Sequence, residues 1–261
     1  SLTACYRPKS VCRAGTLLSS MRRHLAIVAV VVLVALAGCS GAMPGDDSSP
    51  NDEPNDADQA PTLETVAYPD GYAQTGLTNA SQALATHDAA IADAAGYRAS
   101  ASIRVDAGDE TQELVLNSTV DNDAGTEFSR LDLAGSVEVY RTANGSTYTR
   151  IDDGSNVQYV ASRPDAYAQV SIAQFESTLS ATNLTATSVS QEGSTTLLTY
   201  AGDGSIEGSG DVSIELVVDT EGRIHSLSID QGADVSADFD FEYGSVTVEQ
   251  PTWLDDAKAA T

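Results

Sequence analysis

Residues 96–105 read Gly96-Tyr97-Arg98-Ala99-Ser100-Ala101-Ser102-Ile103-Arg104-Val105. Tyr97, Ala99, Ala101, Ile103 and Val105 alternate with Arg98, Ser100, Ser102 and Arg104. Side chains along a strand point to opposite faces with a period of two, so this spacing gathers every apolar group on one face. It is the pattern of an antiparallel strand with one face buried and one in water.

The same pattern recurs downstream of this stretch. Downstream it predicts strands at 113–120, 127–133, 137–141, 147–151 and 157–161. Turn signals separate them, among them Asp123-Ala124-Gly125, Asn144-Gly145 and Asp153-Gly154. Pro164 then breaks the alternation, and 165–181 reads as helical, with Ile172, Phe175 and Leu179 three and four residues apart. Strands return at 186–190, 195–201, 212–219, 224–230, 235–243 and 246–249. Upstream, Tyr68-Pro69-Asp70-Gly71 is a turn and 79–95 is a predicted helix. Leu77, Leu84 and Ile91 place a modest apolar stripe on that helix, Asn79 with Gln82 reads as its capping box, and Gly96 takes the C′ position. Strands do not alternate with helices and no repeat of 20–50 residues occurs, which argues against a parallel α/β sheet. The expected fold class is α+β: a curved, half-barrel-like antiparallel sheet of about eleven strands, covered on one face by two amphipathic helices. Residues 63–261 are expected to form this single domain.

The N-terminal third reads differently. The first methionine is Met21, and residues 1–20 have no periodicity, so translation is expected to start at Met21. Arg22-Arg23, an apolar run over 25–37 and the small residues before Cys39 make 21–38 a secretion signal. Thirteen apolar residues are short of the roughly 20 that span a bilayer. Arg22-Arg23 also fits a twin-arginine signal, and the export route stays open. Leu36-Ala37-Gly38-Cys39 resembles the lipobox of secreted lipoproteins. That resemblance implies that the Cys39 thiol is lipidated and becomes the first mature residue. Cys5 and Cys12 precede Met21, so 40–261 holds no cysteine for a disulfide, a thiolate metal site or a nucleophile.

Residues 40–62 read SGAMPGDDSSPNDEPNDADQAPT, with four prolines, six acids and no basic or aromatic residue. Such a stretch cannot bury a core and is expected to be a disordered tether, so 39–62 forms a lipidated spacer reaching about 25 Å as a flexible coil. The whole chain carries 13 Lys+Arg against 38 Asp+Glu, a formal net charge of −25. From residue 63 onward eight bases face 32 acids, a net charge of −24. This charge excludes nucleic acid, whose phosphates need a basic footprint. It equally excludes a polybasic membrane patch. Near-absence of lysine with abundant Asp, Ala, Thr and Val resembles proteins of halophilic archaea, in which acidity is a solvent adaptation. A specific cationic partner is the alternative.

The order of strands and helices resembles the LolA/LppX–LprG type of lipoprotein fold, a curved sheet half-wrapped around helices. The hairpin at 217–227, Val217-Val218-Asp219-Thr220-Glu221-Gly222-Arg223-Ile224-His225-Ser226-Leu227, is the nearest local match. With the 36–39 motif, the acidic tether and the 68–71 turn, the chain from Met21 on is similar to uncharacterised haloarchaeal lipoproteins. The resemblance implies a lipid-anchored protein on the extracellular face of the cell membrane, with an apolar ligand such as a lipid as its partner. A cleft between sheet and helices would then be lined by Leu84, Ile91, Phe128, Phe175, Phe239 and Phe241. For each of these, filling a core is the plainer role. The alternative is a structural or interaction module of the cell envelope with no pocket.

Motifs for catalysis are missing from this reading, and no enzyme activity or cofactor is expected. His87 reads as a solvated or half-buried helix residue and His225 as structural; two distant histidines give no zinc signature. No Gly-x-Ser-x-Gly elbow occurs. Asp203-Gly204-Ser205-Ile206-Glu207-Gly208 starts like a calcium loop, but Ile214 stands where the twelfth-position acid belongs, so it reads as a polar hairpin loop. Asn79, Asn117, Asn144 and Asn183 begin Asn-x-Ser/Thr sequons and are candidate glycan sites.

Overall fold

The computed structural model describes residues 61–107, 110–162, 170–206, 210–232 and 235–260. The expectations for Met21, the secretion signal, Cys39 and nearly all of the tether lie outside these residues, as do 165–169 of the second helix and Glu207-Gly208 of the polar loop.

Two short strands, β1 (Tyr72–Ala73) and β2 (Gly76–Leu77), form a small hairpin ahead of helix α1 (Ala80–Asp93). Six strands follow as a meander: β3 (Gly96–Ala107), β4 (Glu110–Asp121), β5 (Thr126–Asp132), β6 (Ser136–Arg141), β7 (Thr147–Asp152) and β8 (Val157–Ser162). A 3-10 turn at Ala173–Phe175 leads into α2 (Glu176–Ala181). A second meander then runs through β9 (Thr185–Glu192), β10 (Thr195–Ile206), β11 (Gly210–Asp219), β12 (Ile224–Asp230) and β13 (Val235–Tyr243), and α3 (Leu254–Ala260) closes the described chain.

The sheet has eleven strands in the order β8-β7-β6-β5-β4-β3-β13-β12-β11-β10-β9, all antiparallel and not closed on itself. Its centre is the β3–β13 pair, in which Tyr97 faces Tyr243, Ala99 faces Phe241 and Ala101 faces Phe239. The chain enters at the middle, meanders to one edge, crosses to the other and meanders back. Gly204 helps the crossover lie flat on the sheet: a Cβ there would stand 2.7 Å from the Ala181 carbonyl oxygen. At the β9 edge the Ala186 N–H donates to the Gln74 carbonyl of the β1–β2 hairpin, 3.1 Å away, which takes up one of the free edge groups.

Parity along the strands defines an inner face, bearing the alternating set of β3, and an outer face. The main core lies on the inner face under α1 and α2, with Leu198, Tyr200, Leu216, Val218, Ile224 and Leu227 fully buried. Asn79 caps α1 as expected, its Oδ1 accepting the Gln82 N–H at 3.1 Å. The C-terminal end is not a glycine cap. Ala94 leaves the helix in an extended conformation, and the Asn122 amide donates to the carbonyls of Ile91 and Ala94, each at 2.9 Å. Those carbonyls are thus satisfied without a left-handed residue, and Gly96 starts β3 instead. A Cβ at Gly96 would lie 2.5 Å from the Val120 carbonyl oxygen.

Three further expectations change. The second helix is reduced, among the described residues, to the 3-10 turn and α2. The Thr182 hydroxyl donates to the Thr178 carbonyl and Thr182 bridges Gly204, so the chain leaves the helix by joining the sheet. Residues 246–249 form no strand; Gly244, at φ 151°, ends β13, and Val248 packs into an aromatic cluster. The polar loop starts later than expected, because β10 stays paired through Ile206 with Gly210.

The outer face carries a second, smaller core. Phe128, Tyr140, Tyr148 and Tyr159 from β5–β8 pack against Val248 and against Trp253, Leu254 and Ala257 of the C-terminal segment. Trp253 stacks on Tyr159 with ring centroids 6.3 Å apart.

Candidate functional site

Cross-strand pairing continues the inner face beyond the helices. The rungs are set by register: Leu116, Leu131, Val137, Ile151 and Gln158 form one; Ser118, Ser129, Val139, Thr149 and Val160 form the next; Val120, Glu127, Arg141, Thr147 and Ser162 form a third. Neighbouring rungs lie about 6.7 Å apart, two residues along a strand. Eleven strands at about 4.8 Å make a face roughly 50 Å across, whereas two helices of about 10 Å each cover close to 20 Å. Residues of α1 and α2 cluster with β9–β13, β3 and β4, while Leu131 of β5 packs half-buried at the margin.

Among the described residues the exposed large hydrophobics are Val105, Ile151, Val157 and Val160. Three of the four, Val105, Ile151 and Val160, lie on the inner face; Val157, paired with Asp152, lies on the outer. Ile151 is 36% exposed and Val160 43%. The inner face is therefore open to solvent at Val105 and, on the outermost strands of the first meander, at Ile151 and Val160, whereas Glu127, Ser129, Val139 and Thr147 on the same face are buried.

The expected cleft residues divide between the two cores. Leu84, Phe239 and Phe241 are buried in the main core, and Ile91 and Phe175 pack half-buried against it. Phe175 meets Phe239 edge to face at 5.1 Å. Phe128 stands on the opposite face of the sheet, in the cluster under α3. Asn79, Asn117, Asn144 and Asn183 are all exposed, although the Asn79 and Asn144 Oδ1 atoms already accept backbone N–H groups.

Two polar groupings escaped the sequence reading. On the inner face, Glu127 is 1% exposed. It accepts a hydrogen bond from the Ser129 hydroxyl at 3.1 Å and meets the Arg141 guanidinium at 3.5 Å. Ser129 in turn shares a 2.8 Å hydrogen bond with Ser118. Its parity carried the signal: Glu127 occupies the same face as Leu131. The second grouping is the β11–β12 hairpin. Asp219, 1% exposed, accepts the N–H groups of Glu221 and Arg223 at 2.9 Å each, the Arg223 Nε–H at 2.7 Å, and lies 3.2 Å from His225 Nε2. Burial alone would raise its carboxyl, yet hydrogen bonds from His225 and Arg223 bring it down to about 2. Gly222, at φ 86°, makes the tight turn that aims these donors inward. His87 is not solvated: it is 1% exposed, its Nδ1 accepts the Ile224 N–H at 3.1 Å, and burial pushes its pKa down to about 4. The register shift between Val217 and Val218 frees that N–H from the ladder. This hairpin pins α1 to the sheet.

The outer face has a groove of about 410 Å³ across β10–β13. Asp203, Glu215, Asp230 and Asp238 line it with Ser213 and Ser228, which makes it acidic and unsuited to an apolar guest. Further along the same face, by contrast, Arg130 and Arg150 form ion pairs with Asp132, Glu138 and Asp152. Among the described residues no group of three or more His, Cys, Asp or Glu could hold a metal ion, and no helix is long and apolar enough to cross a membrane.

The chain belongs to the family of unknown function DUF7537, whose pattern matches residues 24–201. No curated protein matches it in sequence. Among solved structures it is similar to LprF from Mycobacterium bovis, at 13% identity over 66% of this chain and 96% of that one, with a TM-score of 0.36. It is similar to the lipoprotein LppX from Mycobacterium tuberculosis at 9% identity, over 64% and 95% of the two chains, with a TM-score of 0.32. A putative outer membrane lipoprotein-sorting protein domain from Vibrio parahaemolyticus matches at 6% identity, over 70% and 100%, with a TM-score of 0.27. At this level of likeness these structures bear on neither ligand nor partner.

Proposed function

We propose that this DUF7537 member is a non-enzymatic, lipid-anchored protein of the outer cell surface, and that it binds an apolar ligand, such as a lipid, along the inner face of its sheet. One observation carries the ligand reading: three of the four exposed large aliphatic side chains among the described residues, Val105, Ile151 and Val160, lie on the inner face, the face that elsewhere forms the main core. Exposed apolar surface beside a core costs free energy in water, roughly 25 cal/mol per Å², and a ligand that covers it recovers that energy. The anchor rests on Leu36-Ala37-Gly38-Cys39 and the acidic tether behind it. The salt-adapted, haloarchaeal character rests on the net charge of −25.

Fluorescence of N-phenyl-1-naphthylamine, an apolar dye, tests the ligand reading with the full chain. Saturable enhancement is expected for the wild type, with weaker binding in Ile151→Ser and Val160→Ser and unchanged binding in Val157→Ser on the outer face. Absence of binding, or equal loss in all three variants, would overturn it. The packed main core and the acidic outer groove then favour a structural module of the cell envelope. The anchor has its own test in Cys39→Ser, which is expected to release the protein from membranes. Retention after a high-salt wash would refute the anchor.

A further inference from the structure

We infer that the ligand is an amphiphile with an uncharged, hydroxyl-bearing head, seated at the rung of Glu127, Arg141 and Thr147, with its chain running along the rung of Leu131, Val137 and Ile151. The inference rests on the apolar-ligand reading and orients the guest within that same site.

Register places a gradient along the strands of the inner face. The rung of Leu116, Leu131, Val137 and Ile151 is aliphatic across β4–β7 and ends in the exposed Gln158 of β8. One step on, Ser118, Ser129 and Thr149 are interleaved with Val139 and Val160. A further step brings Glu127, Arg141 and Thr147 together. An aliphatic chain loses nothing on the first rung, whereas a hydrogen-bonding group finds its partners about 13 Å away on the third.

Thr147 supplies the pointer to a ligand. It is 1% exposed, and its hydroxyl has no hydrogen-bond partner among the described residues. A buried hydroxyl left without a partner is costly, and interiors seldom retain one without a role for it. A hydroxyl on the guest would both donate to and accept from it.

Charge selects the kind of head. Glu127 and Arg141 face each other, so the rung is neutral in sum and favours neither an anionic nor a cationic group. A neutral polyol meets donors and acceptors here without placing an uncompensated charge in a buried site.

Displacement of N-phenyl-1-naphthylamine from the full chain by 1-O-dodecylglycerol, dodecanoate and dodecane tests this. The glycerol ether is expected to compete about ten-fold better than either of the others. In Thr147→Val, which keeps the shape and removes the hydroxyl, that preference is expected to fall about five-fold, the scale of one hydrogen bond, while the melting temperature holds or rises. A hydroxyl with a purely structural partner would instead lower the melting temperature when removed. Equal competition by all three compounds in the wild type would overturn the inference and leave the apolar-ligand reading standing. Dodecanoate competing best would overturn the neutral head. Displacement by none of the three, or no dye binding, would bring down the apolar-ligand reading itself.

Discussion

Asp219→Asn replaces a buried carboxylate by its neutral isostere. The wild-type side chain gathers four donors: the N–H groups of Glu221 and Arg223, the Arg223 guanidinium and His225. The cost of burial is outweighed by these contacts, which take the carboxyl from 3.8 to about 2. A depressed carboxyl stabilises the fold fully above its unfolded pKa and ceases to do so as pH falls through the folded value. The drop is worth about 2.4 kcal/mol at neutral pH, at 1.36 kcal/mol for a tenfold change in proton affinity. Asp219 is 1% exposed, so solvent screens little of this. For a chain of this size about 2–4 °C follows from each kcal/mol, so the variant is expected to melt roughly 5–10 °C below wild type at pH 7. Thermal unfolding of both proteins, followed by circular dichroism from pH 7 to pH 2 in one salt concentration, gives the difference directly. Titration of the other carboxylates is common to both and cancels. The gap should hold down to about pH 4 and close towards pH 2. A gap under 2 °C at pH 7, or one that persists unchanged at pH 2, would refute the assignment of Asp219 as the charged centre of the hairpin.

The His87 ring must stay neutral to accept the Ile224 N–H, and its folded pKa of about 4 lies below the ordinary 6.5. Its contribution is therefore complete above pH 6.5 and is lost as pH falls towards 4, a decline of up to about 3 kcal/mol; His87→Gln should flatten this part of the wild-type stability curve, and an unchanged slope in melts from pH 7 to pH 4 would count against it. Gly96→Ala would press a Cβ against the Val120 carbonyl oxygen and the Val246 methyl group, at 2.5 and 2.6 Å; a loss of about 1–3 kcal/mol by urea unfolding is expected, and a neutral result would mean that the 244–253 segment is not held against β3. Lowering KCl from 3 M to 0.1 M lengthens the Debye length from under 3 Å to about 10 Å, so a domain of net charge −24 should melt at a lower temperature; a constant melting temperature would point to a cationic partner as the reason for the acidity.

The strands and their faces are legible in the local pattern of residues. Alternation is a local property, written within five to nine residues, and it located each of the eleven strands to within a few residues, β10 running furthest past its expected end, together with the helix from Asn79 onward. It also determined that Tyr97, Ala99, Ala101 and Ile103 share a side with Phe239 and Phe241, once those strands meet. What it could not determine is which strands meet. Pairing of β3 with β13 joins residues some 140 positions apart, and no local pattern records it. Nor could alternation say that the outer face would build a core of its own. Phe128 and Phe239 are both aromatic residues in strands, yet parity places them on opposite faces, and α3, at seven residues, is too short to show a helical period. The burial of Asp219 and His87 was hidden for the same reason. Each looks like a surface residue in its own segment, and each is buried only because α1 closes over the β11–β12 hairpin, where a turn, a displaced N–H and an arginine converge. The gradient from Leu131 to Glu127 is written in one strand, but it becomes a site only when register aligns Val137 and Ile151 with the first and Arg141 and Thr147 with the second, because hydrogen bonding between strands, not sequence order, decides which side chains stand side by side.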